Sequence, residues 1–148
     1  MTEPASTLPT LDVERLDATL AFVLAHPEVH RQAAWVAPSH LDASVQMPDG
    51  RTICGAAGCF AGWAVLIDRP DLTLWSDGAG DAYLIPTTAV DRVGDSWAAA
   101  YPESVDVMDA ARATLGLTDL EAMRLFNASN TRDDLARIVE RIKAGVYR

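Results

Sequence analysis

The chain is short of positive charge. Twelve Lys and Arg stand against twenty-one Asp and Glu, for a formal charge of −9 and a pI near 4.6. Lys and Arg supply the attraction to phosphate backbones and anionic lipid, so the deficit opposes non-specific binding to nucleic acid or membrane surfaces. Cysteine is scarce as well, with only Cys54 and Cys59. Five apart in an expected helix, the two lie on different faces, which places an internal disulfide poorly. No uncharged run reaches the ~18 residues of a membrane span. Residues 1–10 have neither the basic flank nor the apolar stretch of an export signal. These absences predict a reduced, cytoplasmic chain with no membrane partner. G-x-x-x-x-G-K-[ST] and G-x-G-x-x-G are also missing, which excludes the common glycine-rich phosphate cradles.

What is present suits one soluble domain. The 148 residues are 49% hydrophobic and 22% charged, enough to bury a core without metal or disulfide staples. Charge is uneven along the chain. Residues 104–148 hold seven acids and seven bases, so residues 1–103, with fourteen acids and five bases, carry the whole net charge. A cationic partner is expected to prefer the first two thirds.

Residues 1–10, with two prolines, read as a flexible tail, and 11–148 as a single helical domain. Leu16, Leu20, Val23 and Leu24 predict a helix over 12–25 that His26-Pro27 stops, because the residue before proline avoids helical dihedrals. The spacing predicts loop over 38–52, with Met47-Pro48-Asp49-Gly50 as a turn. A second helix is expected over 56–67, ended by Asp68-Arg69-Pro70-Asp71. Short apolar runs at 72–75 and 82–85 around Ser76–Asp81 predict a β-hairpin, the one sheet expected here. Residues 87–103 give no clear period, and Trp97 and Tyr101 are expected to anchor them to the core. Met108, Ala111 and Leu115 mark a helix that Gly116 can cap. Thr118-x-x-Glu121 and Thr131-x-x-Asp134 read as capping boxes. Leu135, Ile138, Val139 and Ile142 form the inner face of the last helix, with Asp133 and Arg137 paired outside. The fold class expected is mainly α, a single-domain bundle of about five helices with a small hairpin insert.

The stretch Ile53–Ile67, ICGAAGCFAGWAVLI, holds no charge and demands burial. Gly58 and Gly62, and Ala57 and Ala61, are each four apart. On one helix they would clear a face for close approach of another backbone, whether a packed helix or the seam of a homodimer. Cys54, Gly58, Cys59, Gly62 and Trp63 are read as a structural core motif. This segment resembles small proteins of actinobacteria and their phages, in which a C-x4-C-x-A-G-W-A stretch follows a turn after a helix ending near His-Pro. Cys54, Cys59, Ala61, Gly62, Trp63 and Ala64 carry the likeness, with His26 and Pro27 upstream and Leu115–Thr118 and Leu125-Phe126 downstream. It covers roughly residues 11–142 and is weakest over 72–103. The resemblance implies a phage or actinobacterial setting and no catalytic residues.

Chemistry-bearing groups are few. His26, His30, Cys54 and Cys59 supply four zinc-ligand types, but not at the spacing of a structural zinc motif; His26 reads instead as a helix cap, and no metal or cofactor is expected. Cys54 would be activated if it opened the second helix. Ser39, His40 and Asp42 are too close in sequence to build a triad, and Gly94-Asp95-Ser96 is too short to mean an esterase. The arrangement of helices about Leu115-Gly116-Leu117 mimics a helix-turn-helix. Its second helix opens on Asp119 and Glu121, facing phosphates with only Arg124 to help, so electrostatics weighs against nucleic acid as a partner. Aromatics do gather in the acidic middle. Trp75, Tyr83, Trp97 and Tyr101, with Asp77 and Asp81, are the candidate binding surface, since aromatics are favoured interface anchors. The reading is a non-enzymatic acidic interaction protein that binds and modulates a cellular protein, with basic proteins among the candidates. The alternative is a small-molecule binder or small enzyme with a pocket beside the Gly/Ala-rich helix, near His30, Cys54, Cys59 and Trp63.

Overall fold

Asp12 starts the first helix, α1 (Val13–Ala25), by accepting a 3.0 Å hydrogen bond from the Arg15 amide. The computed structural model describes residues 8–30, 32, 37–38, 44–47, 52–54, 56–57, 59–76, 82–94 and 96–148. Within these the chain is mainly helical, a bundle with a small β-hairpin insert. Leu16, Thr19, Phe22 and Val23 form the buried face of α1, whereas Leu24, expected there, is exposed. His26 ends the helix as expected, but not by a side-chain bond to a carbonyl. Its ring lies 4.6 Å from that of Phe22 and its Nδ1 is 3.3 Å from Glu28.

The centre differs from the sequence expectation. Residues 38–52 are not all loop: β1 (Ala37–Pro38) pairs antiparallel with β4 (Ala56–Ala57), and β2 (Ser44–Gln46) with β3 (Thr52–Cys54). The hairpin further on is therefore not the one sheet. Helix α2 runs Phe60–Asp68 and not from residue 56. Ala56 and Ala57 are drawn into extended pairing with Pro38 and Ala37, a tertiary contact that overrides alanine's preference for helix. Ala57 and Ala61 thus do not share a helix face, and Gly58 lies outside the described residues. Burial is as expected: Phe60–Leu66 is enclosed, packed chiefly between α1 and α5 (Val107–Leu115). Trp63 is 1% exposed, its Nε1 donates to the Val29 carbonyl at 3.0 Å, and its ring sits 4.9 Å from that of Phe22. Gln32 ties this region to the far end of the chain. Its Oε1 accepts from the Phe60 amide, an otherwise orphaned donor at the start of α2, and its Nε2 donates to the carbonyls of Leu125 and Asn127.

The hairpin forms where expected, β5 (Leu72–Ser76) against β6 (Ala82–Pro86) with Trp75 opposite Tyr83. Successive strand side chains point to opposite faces, and here the two faces serve different cores. Leu72 and Leu84 join the main core, while Trp75 and Ile85 join Val93 and Ala100 in a second, smaller one. Val93 ends α3 (Val90–Val93) and Ala100 ends α4 (Trp97–Ala100), two short helices that settle the ambiguous stretch. Trp97 and Tyr101 do not anchor it inward; they are 48% and 62% exposed.

The C-terminal third follows its local signals. Gly116 leaves α5 with φ +68°, and its backbone packs so close to Thr10 that a β-carbon would fall 1.8 Å from the Thr10 carbonyl oxygen. Thr118 and Thr131 make complete capping boxes with Glu121 and Asp134 at the starts of α6 (Asp119–Leu125) and α7 (Arg132–Lys143). Arg137 pairs with Asp134 and not with Asp133: the cap already holds Asp134 one turn away on the same side. Arg148 closes the structure. It grips the fully buried Glu121 through two nitrogens at 2.6 and 3.2 Å and reaches the carbonyls of Pro9 and Gly116, both at 3.0 Å. Burial pushes the Glu121 carboxyl up, but hydrogen bonds from Arg148 and the Thr118 amide outweigh it and hold the group below the usual glutamate range.

Candidate interaction surface

Four aromatic side chains form a continuous row across the hairpin and α4. Trp75 lies at its inner end, 6% exposed, with Nε1 donating to the Gly94 carbonyl at 2.9 Å. Its ring centroid is 5.9 Å from that of Tyr83. The Tyr83 hydroxyl accepts from Trp97 Nε1, and the Trp97 ring lies 5.5 Å from that of Tyr101. The row therefore passes from core to surface in three steps, each a ring contact or a hydrogen bond.

Local sequence explains the arrangement. Trp75 and Tyr83 are cross-strand partners on one face of β5–β6, where aromatic pairs interact directly. Ser96 caps α4 by accepting from the Ala99 amide, which orients Trp97 in the first turn. Tyr101 follows one turn later, so the two rings share a side of the helix. Of the residues singled out by sequence, Tyr83, Trp97 and Tyr101 are thus brought together at the surface. Trp75 is a foundation beneath them and not an exposed contact. Asp77 and Asp81 lie outside the described residues. Among the described residues an acid near the row in sequence is Glu103, two residues after Tyr101, and it lies 3.4 Å from Arg92.

The central segment is closed at Cys59. Cys59 is 1% exposed at the start of α2, and burial pushes its thiol above the ordinary value against opposing backbone hydrogen bonds from Gly62 and Ala61. Such a thiol is a poor nucleophile. Cys54 lies in β3, not at a helix start. His30 Nε2 donates to Gln32 Oε1 at 2.9 Å, well away from any ligand cluster, and no group of three or more His, Cys, Asp or Glu among the described residues could hold a metal ion. A cleft of about 240 Å³ does lie beside α2, but toward its other end, lined by Arg15, Thr19, Ala64, Ile67, Asp68 and Thr114. Its charged groups are committed to one another, Asp68 lying 3.0 Å from Arg15 and 3.1 Å from the Thr114 hydroxyl.

Sequence reasoning missed a groove of about 320 Å³ between α6 and α7, whose lining includes Arg124, Arg137 and Arg141. Arg137 and Arg141, four apart on α7, were a legible signal. Assigning Arg137 to an outward ion pair concealed it. No helix among the described residues is long and apolar enough to cross a membrane. No family model, curated protein or solved structure matches the chain.

Proposed function

We propose that the chain is a non-enzymatic interaction protein that binds and modulates a cellular protein, with the Trp97–Tyr101 pair as its anchor. One observation carries this reading: two large aromatic rings, in tilted contact with each other and about half open to solvent, stand side by side, and the Tyr83 hydroxyl already satisfies the Trp97 nitrogen. Exposed aromatics fixed in this way lose little conformational entropy on docking and supply most of the energy at typical interfaces. The net negative charge of residues 1–103 supports a partner of basic character, by steering its approach. The likeness of the Cys54–Ala64 segment to small phage and actinobacterial proteins supports a bacterial cytoplasm as the setting. With Phe60–Leu66 enclosed, a homodimer through α2 is not part of this reading.

Capture from actinobacterial lysate tests the reading. The immobilised wild-type chain should retain a specific protein that the Trp97→Ala/Tyr101→Ala double variant loses. Recovery of the same protein by both, or of nothing specific by either, counts against it.

A further inference from the structure

We propose that the groove between α6 and α7 is a binding site for a phosphate-bearing small molecule, separate from the aromatic surface. The proposal starts from charge. The groove walls carry Arg124, Arg137 and Arg141 against a single acid, Asp134, in a chain whose net charge is −9. Arg137 is paired with Asp134, which leaves Arg124 and Arg141 as uncompensated charges on the groove, and an anion between them relieves their repulsion.

The groups that would oppose an anion there are already occupied. Asp134 accepts from the Thr131 amide at 2.9 Å through one oxygen and from Arg137 through the other. The last carbonyls of α6, the negative end of its dipole, are covered by amide donors. Asn130 Nδ2 donates to the carbonyls of Arg124 and Leu125 at 2.8 and 3.1 Å, and Gln32 Nε2 donates to those of Leu125 and Asn127, both at 3.1 Å. Donors, in contrast, are in reserve. Arg124 lies 5.9 Å from the centre of the Tyr147 ring, which steadies it without neutralising it. Neither Arg124 nor Arg141 has a carboxylate partner among the described residues, and nor has Arg132 outside the lining, whereas Arg137, Lys143 and Arg148 do. Asn127, also in the lining, has its side-chain oxygen engaged by Ser129, which turns its amide nitrogen into a further donor.

Size and shape narrow the ligand. About 320 Å³ is at the small end of the range for ligand sites, roughly 300–1,000 Å³. It admits a pyrophosphate or a mononucleotide. Arginine forks match phosphate oxygens in pairs, which favours phosphate over a halide.

Isothermal titration of the full chain with sodium pyrophosphate at low ionic strength tests the site. The expected result is saturable one-to-one binding, weakened about tenfold by each of Arg124→Gln and Arg141→Gln, as for loss of one charged hydrogen-bond partner. Arg132→Gln, on α7 but outside the lining, should bind as wild type does. Melting temperatures without ligand establish that the variants fold. As a readout on the wild-type chain alone, affinity should fall as sodium chloride rises. Absence of binding, affinity unchanged in both groove variants, or affinity indifferent to salt overturns the proposal. So does a short DNA duplex that binds through the same arginines while pyrophosphate does not, because the face would then be a nucleic-acid surface.

Discussion

The main core and the small core lie on opposite faces of one hairpin, and they are finished differently. The main core gathers α1, α2, α5, α6 and α7, and its ends are fastened. Asp106, Thr118 and Thr131 cap three helices, Gln32 joins the start of α2 to the end of α6, and Arg148 draws the C-terminus onto Glu121 and Pro9. The small core has four buried side chains, Trp75, Ile85, Val93 and Ala100, under two four-residue helices. It encloses Trp75, whereas Trp97 and Tyr101 stay open. Local stability tracks buried contacts. The surface proposed to bind a partner therefore belongs to the part of the fold with the least stability in reserve, and the scaffold behind it holds the rest.

Matched tryptophan truncations give the largest effects and can break this contrast. Trp63→Ala removes a fully buried ring and its bond to Val29, and should cost about 3–5 kcal/mol of global stability in urea denaturation. Trp75→Ala should cost up to about 3 kcal/mol, with hydrogen exchange accelerating first over 82–100 while α5 and α7 remain protected. Equal losses in one cooperative transition would show that the two cores are a single unit.

Arg148→Ala probes the fastening of the main core. It strands the Glu121 carboxylate in a buried site, and removing one partner of such a pair costs about 3–5 kcal/mol; partial exposure of Arg148 places the expectation at the low end. The same pair predicts a pH dependence. The folded Glu121 carboxyl lies below its ordinary value of 4.5, so the unfolded chain binds the proton first as acid is added. Its contribution is therefore complete above that value and is lost as pH falls through the lower, folded one. Denaturation midpoints between pH 6 and pH 3, roughly spanning the ordinary carboxylate range, should fall less steeply for Glu121→Gln than for wild type. Identical slopes would remove Glu121 from the acid response.

The same contrast governs what the sequence made legible. Thr118, Thr131, Gly116 and the hairpin runs act through neighbours a few residues away, so their signals survive without tertiary context. The start of α2 was misplaced because Ala56 and Ala57 pair with Ala37 and Pro38, a choice set by a distant segment. Trp97 and Tyr101 were read both as anchors to the core and as part of the candidate surface, and their rings lie at the surface, Trp97 bonded to Tyr83. A four-residue helix has no period from which an inner face can be read. The arginine groove was hidden for a related reason. It is formed by α6 and α7 together with Tyr147, and only half of it lies on one element.

The smallest expected effect is the one that separates stability from binding. Trp97→Ala and Tyr101→Ala truncate rings whose outer halves already face water, so each should change stability by about 0.5–1 kcal/mol at most, near the range of ordinary surface substitutions. Trp97→Phe isolates the hydrogen bond: it keeps most of the ring and removes the donor to the Tyr83 hydroxyl. Because that hydroxyl can turn to water, Trp97→Phe should leave the melting temperature almost unchanged. If the pair exists for packing, Trp97→Ala will approach Trp75→Ala in its cost. If it is held out for a partner, the alanine variants will melt near wild type and lose capture. Melting temperature and capture, read on the same preparations, decide between the two.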